Sequence, residues 1–122
     1  VHDFKRDPSL RPDVVIGFGA YIELPLVRAA AKLGIPYALH EQNSVPGLAN
    51  KQSAKGAALI AIAQPSVSEV FEKHGAPASA IKFTGNPVRA SVLAGDRARG
   101  RAALDVPDGA TLLVAFGTST SA

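Results

Sequence analysis

The chain repeats one pattern. A short, continuously apolar run is followed by a glycine-bearing or polar stretch, and then by a segment whose apolar residues recur every three or four positions. Val14-Val15-Ile16 is the first such run and ends in Gly17-Phe18-Gly19. Residues 22–33 follow, with Ile22, Leu26, Ala29, Ala30 and Leu33 at helical spacing. Pro25 fits only the first turn of that helix, where its missing N–H costs nothing, and Gly34 ends it. Residues 35–39 are expected to form a second strand. The polar run His40-Glu41-Gln42-Asn43-Ser44 reads as a loop, with Ser44 capping a second helix that begins near Pro46 and runs to Lys55. Residues 57–63 form a third strand in this reading. Residues 65–73 form a third helix closed by Gly75, and residues 80–83 a fourth strand. The turn Thr84-Gly85-Asn86-Pro87 follows. A charged helix over 96–104 leads to a last strand at 111–116, which runs into Gly117-Thr118-Ser119-Thr120-Ser121.

Strands and helices in alternation, joined by short connections, specify the α/β class with a Rossmann-like parallel sheet. The runs are apolar throughout, which predicts a sheet covered on both faces. Ligands of such sheets sit beyond the carboxyl ends of the strands. The residues just after each strand are therefore the ones to read for chemistry.

Composition narrows the field. At 122 residues the chain has the length of one domain, since domains run roughly 100–150 residues. It is 47% hydrophobic and 19% charged, a globular balance. No apolar run approaches the ~18 residues of a membrane span. Cysteine is absent, which excludes disulfides, thiolate metal sites and thiol catalysis. The net charge of +3 suits a phosphate-bearing ligand or an anionic membrane surface. It does not suit nucleic acid, because the basic residues form no stripe and aromatics are few. Methionine is absent too, so the chain is expected to be either processed or a piece of a longer protein.

The strand ends offer specific groups. Glycines at 17 and 19 let backbone approach a ligand, and N–H groups before a helix favour an anion. Ordinary turn chemistry explains the same residues. His40-Glu41-Gln42-Asn43 places four hydrogen-bonding side chains after an apolar strand. They serve either as a base and hydroxyl-orienting groups or as satisfied structural residues. Asn50 is a poor helix former, so it has a side-chain role or is merely solvated. Arg89 can fork onto a phosphate or be a surface arginine. The hydroxyl-rich run at 117–121 lacks the Gly-Lys-[Ser/Thr] ending of a P-loop. Arg97, Arg99 and Arg101 lie two apart and cannot share one helical face.

Taken together, four blocks resemble the MurG family. They are Gly17-Phe18-Gly19-Ala20-Tyr21; His40-Glu41-Gln42-Asn43 with Pro46-Gly47-Leu48-Ala49-Asn50; Thr84-Gly85-Asn86-Pro87-Val88-Arg89; and Phe116-Gly117-Thr118-Ser119. The resemblance spans essentially the whole chain and implies part of a two-domain GT-B glycosyltransferase. It implies an inverting enzyme of bacterial peptidoglycan synthesis. Such an enzyme moves N-acetylglucosamine from UDP-N-acetylglucosamine (UDP-GlcNAc) to an undecaprenyl-diphosphate-linked muramoyl-pentapeptide.

It further implies no cofactor and no tightly held metal, and a peripheral place on the cytoplasmic face of the plasma membrane. Residues 1–86 would be the latter part of the acceptor-binding domain. Residues 87–122 would be the interdomain linker and the first strand of the donor-binding domain. The 122-residue piece alone is expected to be inactive.

By the resemblance, His40 and Glu41 are the catalytic candidates. Tyr21, Asn43, Asn50, Arg89 and Ser119 are the substrate-binding candidates, with Arg89 and Ser119 toward diphosphate groups. Lys51 and Lys55, four apart, would join a membrane-facing surface or form an ordinary solvated face.

Two departures stand out. In the last block Thr118 and Ser121 replace glycines and Thr120 replaces a glutamine. Glu23 stands where the family more often has a small residue, and its carboxylate would cap the helix or repel an acceptor diphosphate. Two alternatives to the transferase are another GT-B lipid glycosyltransferase and a non-catalytic α/β binding module of the same fold.

Overall fold

A computed structural model describes residues 6–115 of the chain. They divide between Asn86 and Pro87 into two compact units.

The first unit is a four-stranded sheet in the order β1-β2-β3-β4, every neighbouring pair parallel. The strands are β1 (Val15–Gly17), β2 (Tyr37–Glu41), β3 (Leu59–Ile62) and β4 (Ile81–Phe83). Parallel neighbours need a crossover between them. Here α1 (Leu24–Lys32), α2 (Leu48–Ser53) and α3 (Ser68–Lys73) supply one each. Short 3-10 turns at Tyr21–Glu23 and Pro65–Val67 lead into α1 and α3. Pro25 sits in the first turn of α1, as its missing donor requires. Gly34 closes that helix at φ +68°, a backbone angle that a side chain disfavours.

The core is small and mostly aliphatic, with two aromatic rings. Leu39 and Ile60 from the central strands pack with Val27, Val67 and Phe71 from the helices. Fully burying one such side chain stabilises the fold by roughly 1.5–3 kcal/mol. Tyr37 is also buried, and its hydroxyl donates to the Ser53 carbonyl at 2.8 Å. Burial raises that phenol above its ordinary pKa, with the backbone around Gly56 opposing.

Several expectations change. Among the described residues the sheet is not covered on both faces. On β1, Val15 is buried while Ile16 is exposed, and Phe83 on β4 is exposed. Strand β2 runs two residues further than expected, because Glu41 pairs with Ile62 of β3. His40 and Glu41 are therefore strand residues, not loop residues. Ser44 caps nothing: α2 starts after Gly47, with no side-chain cap. Lys55 falls in the 3-10 turn Ala54–Gly56 beyond α2, so Lys51 and Lys55 do not share one α-helix.

The second unit holds α4 (Ala90–Leu93) and α5 (Arg97–Ala103). The charge-rich helix expected at 96–104 is α5. The Asp96 carboxylate caps it by accepting from the Arg99 N–H at 2.7 Å. Helix α4 was not anticipated. The strand expected at 111–116 is absent over 111–115, since a strand needs a ladder partner for its backbone groups and none lies beside it among the described residues. Arg101 ties down the turn before it, donating to the carbonyls of Pro107 at 2.6 Å and Ala110 at 2.8 Å.

Candidate functional site

Parallel strands deliver their carboxyl ends to one edge. Gly17 is in register with Leu39, Glu41 with Ile62, and Ile62 with Phe83. Strand β2 thus projects His40 and Glu41 past the end of β1. Successive strand residues face opposite sides of a sheet, so these two neighbours enter different surroundings.

Glu41 is 1% exposed. Its Oε1 accepts from the Asn43 N–H at 2.9 Å and from Asn43 Nδ2 at 3.1 Å. Its Oε2 accepts from the Gly47 N–H at 3.0 Å and from Asn50 Nδ2 at 3.0 Å. Asn50 Nδ2 also donates to the His40 carbonyl at 3.1 Å. One carboxylate thereby satisfies the entry to α2, the turn after β2 and a buried amide. A buried charge is tolerated when several donors satisfy it. Four donors thus converge on the Glu41 carboxylate, which holds Asn43, the entry to α2 and Asn50 in place.

Asn50 is also fully buried. Its Nδ2 is spent inside the protein, and its Oδ1 has no partner. It ties the end of β2 to α2. Asn43 differs. It is exposed, and Glu41 uses its backbone and side-chain donors while its Oδ1 stays outside that pair.

His40 ties together three strand-end loops. Its Nε2 lies 3.3 Å from the Gly85 carbonyl; a carbonyl only accepts, so this nitrogen carries the hydrogen. Its ring stands tilted against Phe18 with centroids 5.8 Å apart. Gln42 Nε2 donates to the Phe18 carbonyl at 3.4 Å, and Asn86 Nδ2 to the Gln42 carbonyl at 3.5 Å. The segments after β1, β2 and β4 meet around this imidazole. A histidine held by one ring nitrogen keeps the other for proton chemistry.

The loop after β1 has its own anchor. The Glu23 carboxylate accepts from the Phe18 N–H at 2.7 Å and the Gly19 N–H at 2.8 Å. It makes no cap bond to its own helix, so the capping alternative falls. Gly19 has φ +91°, and a Cβ there would meet Asn50 Nδ2 at 3.0 Å. Both facts demand glycine at this position.

The comparisons with known proteins agree with one another. The model of the glycosyltransferase family 28 N-terminal domain matches residues 8–62. The UDP-N-acetylglucosamine–N-acetylmuramyl-(pentapeptide) pyrophosphoryl-undecaprenol N-acetylglucosamine transferase of Halalkalibacterium halodurans is 43% identical over 90% of this chain and 29% of its own length. The protein of the same name from Bacillus cytotoxicus is 39% identical over 100% of this chain and 32% of its own length. The crystal structure of Acinetobacter baumannii MurG superposes with a TM-score of 0.54 at 36% identity, covering 75% of this chain and 24% of that one. The chain belongs to the MurG family. It spans about a third or less of the length of the curated relatives it matches, and its sheet has the Rossmann-like α/β character of a GT-B domain.

The remaining family positions fall as follows. Tyr21 opens the 3-10 turn before α1 and is 67% exposed. Arg89 belongs to the second unit, where it precedes α4 with an exposed side chain. Ser119 lies outside the described residues. The structure thus brings His40, Glu41, Asn43 and Asn50 together. Sequence reasoning missed Gly47, Gln42 and Gly85 as partners of that group, and Glu23 as the brace of the first loop. Gly47 had a signal in the sequence. It stands just before a helix with no Ser, Thr, Asp or Asn at the cap, so the helix start needed an acceptor from elsewhere.

Proposed function

We propose that this chain is part of an inverting glycosyltransferase that moves N-acetylglucosamine from UDP-GlcNAc to an undecaprenyl-diphosphate-linked muramoyl-pentapeptide. One observation carries the reading. His40, Asn43 and the Glu41–Asn50 brace converge at the carboxyl edge of a parallel sheet, in a chain about 40% identical to relatives named for this transfer. Residues 1–86 belong to the acceptor-binding domain, and residues 87–122 to the connection and the start of the donor-binding one. The division between Asn86 and Pro87 supports that boundary.

Inversion in a single displacement needs a base at the attacking hydroxyl and stabilisation of the departing nucleotide. On this chain His40 is the group suited to take the proton, with Nε2 anchored on Gly85. Glu41 and Asn50 hold Asn43 and the α2 entry in place. Tyr21 and Asn43 present exposed polar groups toward substrate, and Arg89 and Ser119 serve the diphosphate. The protein works at the cytoplasmic face of the plasma membrane, held peripherally on an anionic surface. Among the described residues no helix is long and apolar enough to cross a membrane.

A hybrid enzyme tests this reading. These 122 residues replace the matching segment of the Halalkalibacterium halodurans relative, and transfer of labelled N-acetylglucosamine to the lipid acceptor is measured. Transfer is expected, with a fall of about 100-fold or more in kcat on His40→Ala. A folded hybrid that binds UDP-GlcNAc but transfers nothing overturns the reading.

A further inference from the structure

The Glu23 carboxylate sits over a pair of consecutive backbone amides. Two consecutive backbone N–H groups, of Phe18 and Gly19, point at its two oxygens at 2.7 and 2.8 Å. Successive amides of this kind form a concavity that binds anions. Here the anion is the chain's own. The fit is built in from both sides. A Cβ at Gly17 would stand 2.8 Å from Glu23 Oε1, with only Glu23 atoms as its nearest neighbours, so glycine at 17 makes room for the carboxylate. The loop is also shaped from behind. Gly19 at φ +91° packs against Asn50, and the Gln42 amide holds the Phe18 carbonyl. Unlike Glu41, Glu23 is only partly buried, so its carboxylate can leave without opening the core.

We propose that Glu23 is a specificity-determining residue: it closes the amide pair of Phe18 and Gly19 to phosphoryl anions. The identity of the excluded group as the acceptor's diphosphate rests on the reading above; the exclusion itself does not. A diphosphate brought to this loop must displace Glu23 or be held by other groups.

The test uses the full chain and inorganic pyrophosphate, read by the amide shifts of Phe18 and Gly19 in 15N–1H spectra. Two variants free the pair by different means. Glu23→Ala removes the carboxylate. Gly17→Ala pushes it aside while leaving its charge in place. Wild type is expected to show no saturable shift at these amides. Glu23→Ala is expected to bind at least about tenfold more tightly, the scale of a charge-assisted contact regained, with Gly17→Ala in between. Saturable wild-type binding at these amides, as tight as in the variants, overturns the proposal. So do folded variants whose Phe18 and Gly19 amides do not respond. Neither readout involves sugar transfer, so failure here leaves the transferase reading standing, and failure of the hybrid enzyme leaves this result intact.

Discussion

Two carboxylates brace two neighbouring loops, and they do it differently. Glu41 is buried and feeds four donors spread over the turn after β2 and the start of α2. Glu23 is partly buried and feeds two consecutive amides of one loop. The first arrangement is a permanent brace. Withdrawing it strands several buried donors at once, each costing its desolvation penalty. The second is a latch, since water can take over its two amides when the carboxylate moves. Burial and the number of donors, more than hydrogen-bond length, separate the two.

The largest expected effect is on the brace. Glu41→Ala should lower stability by about 3 kcal/mol, because Gly47, Asn43 and Asn50 lose a shared charged acceptor. Urea denaturation measures it, and a loss below about 1 kcal/mol would place Glu41 with Glu23 as a dispensable contact. Gly19→Ala comes next, at about 2 kcal/mol, from the positive φ and the contact with Asn50. Its cost should shrink when Asn50 is also changed to Ala, and a double-mutant cycle shows whether it does. Glu23→Ala should cost about 1 kcal/mol or less. Native-state hydrogen exchange offers a direct comparison on the unaltered chain: the Gly47 N–H is expected to exchange more slowly than the Gly19 N–H, and the reverse order breaks the distinction.

The smallest effect concerns the same strand as Glu41. Burial holds the Tyr37 phenol neutral by raising its pKa above 10.0. The folded state therefore keeps a proton that the unfolded chain gives up, so stability is full below pH 10 and falls as pH rises beyond it. Tyr37→Phe should remove that slope in a pH series of melting curves.

Much of this was legible in the sequence. Gly34 ends α1 where expected, and the short apolar runs became strands. The clustering of His40, Glu41 and Asn43 was visible from their adjacency. Their division of labour was not. It depends on β2 continuing through Glu41, which the pairing partner Ile62 decides from outside the local sequence. Ser44 looked like the cap because local chemistry favours serine there; a carboxylate six residues before Gly47 supplied the acceptor instead. The role of Asn50 was equally hidden, since only the fold brings helix α2 back over the end of β2. The strand expected at 111–116 had the right residues and, among the described ones, no neighbour to pair with.

The consecutive placement of His40 and Glu41 on one strand makes the site a matter of parity. Loops at this edge can grow or shrink, because they only need to return to the sheet. Strand β2 cannot slide by a single residue. An odd shift would turn each of the two side chains to the opposite face, taking the carboxylate out of its donors and the imidazole away from Phe18 and Gly85 in one step. Insertions before Tyr37 are thus tolerable only if the strand keeps its count, which makes the strand's register, and not any one side chain, the most restrictive element of this surface.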